Sequence, residues 1–171
     1  MAENAIYTVK YRRKREGKTH YKKRLEYLKS GKERLVIRRS NTQITLQIIK
    51  YQEDGDKVIA TFPSKNLEKL GWKFSKKSLP AAYLAGLQLG KLAGAKGVKS
   101  AILDLGLQTP MSGSKLYAAL KGVVDAGITI PASEEIFPSD ERLSGSHIPD
   151  ADKKKIVETF NQVKSKINGE K

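Results

Sequence analysis

Residues 35–62 read LVIRRSNTQITLQIIKYQEDGDKVIATF, and this stretch decides the fold. Leu35 to Arg39 is a largely apolar, β-prone run closed by the turn formers Ser40 and Asn41. Ile44, Leu46 and Ile48 alternate with Thr45, Gln47 and Ile49, the period of two expected of a half-buried strand, which runs through Tyr51. Asp54 and Gly55 supply the positive φ that a tight hairpin needs, and Lys57 to Phe62 reads as a third strand. Three successive strands with short connections predict an antiparallel meander.

Towards the C-terminus the period changes. After a mixed segment, Pro63 to Lys77, that holds Leu67, Leu70 and the only Trp, Trp72, a helix is expected from Pro80. Leu84, Ala85, Leu89, Leu92 and Ala93 mark its apolar face, and Gly94 and Gly97 can stop it. Gly86, Gly90 and Gly94 form a small-residue edge suited to close packing against another backbone. Ala101 to Leu105 is a nearly continuous apolar run, the mark of a strand covered on both faces. Leu116, Ala119, Leu120, Val123 and Val124 mark a second helix stopped at Gly127, and Ile128 to Ile130 reads as a short strand. Ala132 to His147 reads as loop. Pro149 opens a last helix, with Asp150 and Asp152 in its first turn and Ile156, Phe160, Val163 and Ile167 as its stripe. That stripe can return to the body or meet a neighbouring protein. The order predicts an α/β fold: three layers, α/β/α, around a mixed sheet that starts as the meander.

Towards the N-terminus the chain becomes basic. With 33 Lys+Arg against 18 Asp+Glu, the 171 residues carry a net +15. Residues 1–50 hold 15 basic and 4 acidic side chains, a net of +11, so most of the excess lies in the first third. Met1 to Lys18 has little apolar periodicity and reads as an extended arm, expected to be disordered until bound because its charges repel. Tyr21, Leu25 and Leu28 recur at helical spacing, with Thr19 as N-cap and Ser30-Gly31 as stop, which predicts a short basic helix. The expected division is a basic arm and short helix over 1–34, an α/β body over 35–147 and an amphipathic helix over 148–171.

Several function classes fail on the residues. Absence of Cys removes disulfides, Cys-ligated zinc, iron–sulfur clusters and thiol nucleophiles. The strand order has the outline of a ribonuclease-H-like nuclease, which holds two Mg²⁺ with clustered carboxylates. Here the first strand offers Arg38 and Arg39 instead of acids, and Asp104 has no evident carboxylate partner. His20 and His147 show no metal-ligand spacing, and Gly90-Lys91 lacks the other residues of a phosphate-binding loop. No catalytic residue, metal or cofactor is expected. No run approaches the roughly 18 apolar residues of a membrane span. Glu3 and Glu16, and the lack of an apolar leader, argue against targeting segments, so a soluble cytoplasmic protein is expected. A basic helix lying on a membrane is disfavoured by the narrow apolar face.

Nucleic-acid binding passes. Tyr11-Arg12-Arg13-Lys14-Arg15 and His20-Tyr21-Lys22-Lys23-Arg24 interleave rings with cations. Phosphates need the charges, while exposed bases and sugars offer faces to Tyr and guanidinium planes. Tyr21 serves equally as a packing residue of the helix stripe, and His20 reads as a surface His near phosphate.

Three further stretches carry a resemblance: Tyr11 to Thr19, Leu35 to Asn41 and Pro80 to Gly86. Ile102 to Leu107, Ala118 to Gly127 and Glu135 to Pro138 join them in the same order and spacing. From about residue 7 to about residue 148 the chain resembles the archaeal form of the eighteenth large-subunit ribosomal protein family, related to the eukaryotic carrier of 5S ribosomal RNA. The resemblance implies a non-catalytic structural constituent of the large ribosomal subunit. It implies docking of 5S rRNA to 23S rRNA in the central protuberance, beside neighbouring large-subunit proteins, with no membrane and no small-molecule substrate. Carried over by residue, it implies RNA contacts at Tyr11, Arg12, Arg13, Lys14, Arg15, Lys18, Thr19, Tyr21, Lys22 and Arg24. Arg38, Arg39, Ser40 and Asn41 extend that surface along the first strand and its turn. Lys115 stands where the family often carries Arg, which keeps the charge and loses the bidentate fork.

Overall fold

The alternation read in residues 44–50 sets one side of a sheet against a helical layer. A computed structural model describes residues 8–148 and 150–169, with side chains of the last helix from 154 onward. β1 (Glu33–Arg39), β2 (Ile44–Lys50) and β3 (Lys57–Pro63) form the antiparallel meander. β4 (Ala101–Asp104) pairs parallel to β1, so the sheet order is β3-β2-β1-β4 and the sheet is mixed. Leu35 stands opposite Ile48 and Ile37 opposite Leu46, and all four are fully buried together with Ile44.

α3 (Leu79–Gly94) covers this face. Ser78 caps it, its hydroxyl accepting from the Ala81 N–H at 3.4 Å, and Pro80 sits in the first turn, where a missing N–H costs nothing. The helix is buried nearly all round because the sheet, α4 (Lys115–Asp125) and α6 (Asp150–Asn168) enclose it. Leu92, expected on the apolar face, is instead exposed at the open end of the helix. The small-residue edge does its work at two of its three positions. A Cβ on Gly86 would lie 2.1 Å from the Ala119 carbonyl oxygen, and one on Gly90 would lie 2.4 Å from the Ala126 Cβ; Gly94 faces open space. α4 returns the contact through Gly122, whose added Cβ would meet the Tyr83 carbonyl oxygen at 2.2 Å.

Elsewhere the structure amends the reading. Within residues 63–77, Ser64–Leu70 winds as a 3-10 helix ending at Gly71, φ +101°, and buries Trp72 edge-on to Phe74. β4 is an edge strand with Ile102 and Leu103 only half-buried, so its apolar run does not mark a central strand. Ile128 to Ile130 forms no strand: Thr129 makes one parallel bridge to Ser100, and Ile128 and Ile130 are simply core side chains. The 132–147 loop contains a 3-10 turn, Glu134–Ile136, and the short α5 (Asp140–Ser144). In α6, Ile156, Phe160, Val163 and Ile167 are buried, and the Phe160 ring lies 5.7 Å from that of Tyr83. Of its two destinations, the stripe takes the body. Pro149 and the side chains of Asp150 and Asp152 lie outside the described residues.

The opposite face of the sheet carries a smaller layer. α1 (Arg12–Arg15) is a single helical turn where an extended arm was expected, because the Lys14 and Arg15 N–H groups both find the Tyr11 carbonyl. α2 (Tyr21–Lys29) follows, tied to the sheet by Arg24. Its N-cap is His20, whose Nδ1 accepts from the Lys23 N–H at 3.2 Å, displacing the expected Thr19. Leu25, read as part of the stripe, points to solvent, while Arg24, Tyr27 and Leu28 are half-buried. The helical layers are therefore unequal, with apolar packing on one face of the sheet and mainly ionic packing on the other.

Gly86→Ala tests the tight helix pair. Helix propensity alone favours Ala by about 1 kcal/mol. The enforced separation of α3 and α4 should outweigh it, giving a net loss of roughly 1–3 kcal/mol in urea unfolding, with Gly94→Ala neutral or stabilising.

Candidate nucleic-acid interface

Alternation along β1 turns Arg34, Val36 and Arg38 to the face away from α3. The parallel ladder sets Asp104 opposite Val36, between the two arginines. Arg34 Nη1 donates to Asp104 Oδ2 at 3.0 Å, and Arg38 Nη2 donates to Oδ1 at 3.0 Å. Arg38 Nη1 adds the Asp104 carbonyl at 2.7 Å, and the Gly106 N–H closes on Oδ1 at 2.8 Å. The other end of the Arg34 fork, Nη2, donates at 2.7 Å to Asp56 Oδ2, which also accepts from Arg24 Nη2 at 2.9 Å. Thus Asp56, at the β2–β3 hairpin, fastens α2 to the strand beneath it. Burial alone would raise the Asp56 pKa, but hydrogen bonds from Arg34 and Arg24 outweigh it and hold the carboxyl below its ordinary range. Burial, reinforced by Asp104 and opposed by Arg38, raises the Tyr27 hydroxyl.

The arm continues this surface. Arg13 Nε donates to Thr19 Oγ1 at 2.9 Å, and Glu16 pairs with Lys18 at 2.8 Å and more loosely with Arg12 at 3.8 Å. The rings of Tyr11 and Tyr21 meet at 5.2 Å, with Tyr11 71% exposed and Tyr21 half-buried. Tyr21 thus packs and presents a ring at once. Between arm, α2 and sheet lies an open basin of about 450 Å³. Seven Lys and Arg side chains line it against two acids, Asp56 and Asp104, and both acids are already paired with arginine.

Of the residues expected at the interface, Arg13, Lys18, Thr19, Arg24, Arg38 and Arg39 converge on this basin. Tyr11, Arg12, Lys14, Arg15 and Lys22 are exposed outside it. Ser40 is spent on its own turn, donating to the Gln43 carbonyl at 2.9 Å and accepting from the Gln43 N–H at 3.0 Å, beside the exposed Asn41. Lys115 opens α4, half-buried and apart from the basin. Lys23, part of the basic stretch His20 to Arg24, also lines the basin, as do Arg34 and Gln108, which the sequence did not single out. Lys23 sits one turn from Tyr27 on a helix whose inner face was misassigned. Arg34 shares strand parity with Arg38, a signal present in the alternation. Gln108 donates to the Ile37 carbonyl at 2.8 Å and accepts from the Arg39 N–H at 3.2 Å, a loop contact without local signature. Among the described residues, no three His, Asp or Glu side chains group so as to hold a metal ion.

A family model described as "Ribosomal large subunit proteins 60S L5, and 50S L18" matches residues 5–97 and 91–133. The chain belongs to this family. It is similar to the large ribosomal subunit protein uL18 of Korarchaeum cryptofilum, 53% identical over 148 residues, covering 86% of this chain and 76% of the relative. Against the protein of the same name from Methanothrix thermoacetophila it is 44% identical over 169 residues, covering 99% of this chain and all of the relative. A member of the L5/L18 family is a structural, non-enzymatic protein of the cytoplasmic large ribosomal subunit, and its partners are ribosomal RNA and ribosomal proteins.

Two outcomes test the ionic face. Asp104→Ala takes one of the two carboxylates from the buried Arg34 guanidinium and the only one from Arg38, and should cost about 3 kcal/mol by chemical denaturation. Asp56 has a folded pKa below its unfolded value of about 3.9. Its contribution is therefore complete above that value and lost as pH falls through the folded one. Hydrogen exchange should show α2 losing protection below about pH 4, with Asp56→Asn already unprotected at pH 6; equal profiles for both proteins would refute the tether.

Proposed function

We infer that this L5/L18 protein binds 5S rRNA through its basic N-terminal segment and the adjoining end of β1, and helps dock it to 23S rRNA in the central protuberance. One observation carries the reading. Thirteen of the fifteen basic side chains in residues 1–50 are exposed, seven of them on α1 and α2, while the acids beneath them are already paired. In this reading residues 1–34 are the RNA-binding part, 35–147 the α/β body and 148–171 the C-terminal segment whose helix α6 buttresses it. Arg12, Arg13, Lys14, Arg15, Lys18 and Lys22 take phosphates. Tyr11 and Tyr21 offer ring faces, Thr19 orients Arg13, and Arg39 with Ser40 and Asn41 extends the surface along the strand end. Arg24 and Arg38, committed to Asp56 and Asp104, shape the surface as well as adding charge. Lys115, on another element, serves a separate contact.

Gel-shift titration against a 5S rRNA transcript tests this. Affinity should fall with salt by roughly 0.7–0.9 log units per log unit for each phosphate contact. Replacing Arg12, Arg13 and Arg15 together by Ala should flatten the slope by roughly 2–3 units without changing the melting temperature. A salt-independent affinity, or a triple variant that binds as tightly as the parent, would remove the assignment.

A further inference from the structure

We propose that the basin between α1–α2 and the sheet receives one unpaired nucleotide of the bound RNA, its phosphate on Arg13, Lys18 and Lys23 and its base against Tyr27 and Leu107. The proposal rests on the RNA-binding reading above and adds what kind of RNA element is held. A duplex presents a continuous backbone to a flat or convex charged surface, for which the exposed cations of α1 and Lys22 suffice. The basin is concave, and its volume of about 450 Å³ lies in the range of roughly 300–1,000 Å³ that encloses a small-molecule-sized ligand.

Its chemistry is graded as a nucleotide requires. Arg13, Lys18 and Lys23 are exposed at the arm and α2, while Tyr27 is half-buried. Leu107, from the loop after β4, lines the basin while 53% exposed, an apolar surface placed among cations. At the lining, the Arg34 side chain is only 4% exposed, and its Nε is a buried donor with no partner among the described residues. Asp56 and Asp104 do not repel an anion, because arginines already neutralise both. RNA proteins read sequence chiefly at splayed nucleotides, whose bases stack on rings and planar side chains.

The full-length protein bound to a 5S rRNA transcript, probed with base-specific reagents that cover all four bases, tests this. Wild type should shield an unpaired base, and Leu107→Ala should re-expose that same base, with affinity lowered about fivefold and the salt slope unchanged. Lys23→Ala should also weaken shielding there and reduce the slope by roughly 0.7–0.9. Both side chains are exposed, so neither variant depends on core packing. Binding with every unpaired base as reactive as in free RNA overturns the basin alone. So does shielding that survives both substitutions. Failure of wild type to bind the transcript overturns the RNA reading and this proposal together.

Discussion

Everything on the ionic face of the sheet hangs on one buried guanidinium. Arg34 sits in the middle of the fold at 3% exposure and divides its fork between Asp104 on the neighbouring strand and Asp56 on the hairpin. Desolvating such a charge costs several kcal/mol, which only close, multiply hydrogen-bonded partners offset. The arrangement therefore contributes less to net stability than to geometry. It dictates where β4, the β2–β3 hairpin and, through Arg24, α2 must lie relative to one another. An apolar replacement could match its stability, but it would leave Asp56 held by Arg24 alone and Asp104 with one fewer partner.

The other face of the sheet is held by different means. There Leu35, Ile37, Ile44, Leu46 and Ile48 meet α3, and α3 meets α4 backbone to backbone at Gly86 and Gly122. Close packing of this kind is rigid and dry. It lets the ionic face carry charges that would otherwise compete with the core for order. A half-exposed layer of α1 and α2 could not fold alone, since α2 has nine residues and no buried side chain. Its position is borrowed from the sheet through Asp56.

What was legible in the chain follows from how far apart the interacting residues lie. The meander was readable because alternation in residues 44–50 and the Asp54-Gly55 turn are local signals, and the register follows from them. The α3 glycines were readable as a close-packing edge, although their partner on α4 was not named. The Ile128 to Ile130 run was misread because three apolar residues suit a strand and a buried loop equally. Leu25 was misread because a helix held by Arg24–Asp56 need not bury its leucines. The Arg34–Asp104 contact spans 70 residues and leaves no local trace, so the basin between them could not be drawn from sequence.

The same contact explains why the basic residues fall into two groups that composition cannot separate. Arg24, Arg34 and Arg38 bond to carboxylates or carbonyls of their own chain, where a planar fork can serve two acceptors at once. The arm's Lys14 and Arg15, and Lys22 and Lys23 of α2, are exposed, so their charge is open to a polyanion. A net +15 therefore overstates the charge open to an anion at the centre of the basin and understates its concentration at the rim. A floor whose arginines are already paired with two aspartates and a rim of free cations together favour an anion bound across the mouth with an uncharged group beneath it. A phosphate joined to its base has that polarity, whereas a second phosphate beneath the first would meet guanidiniums already committed to aspartate.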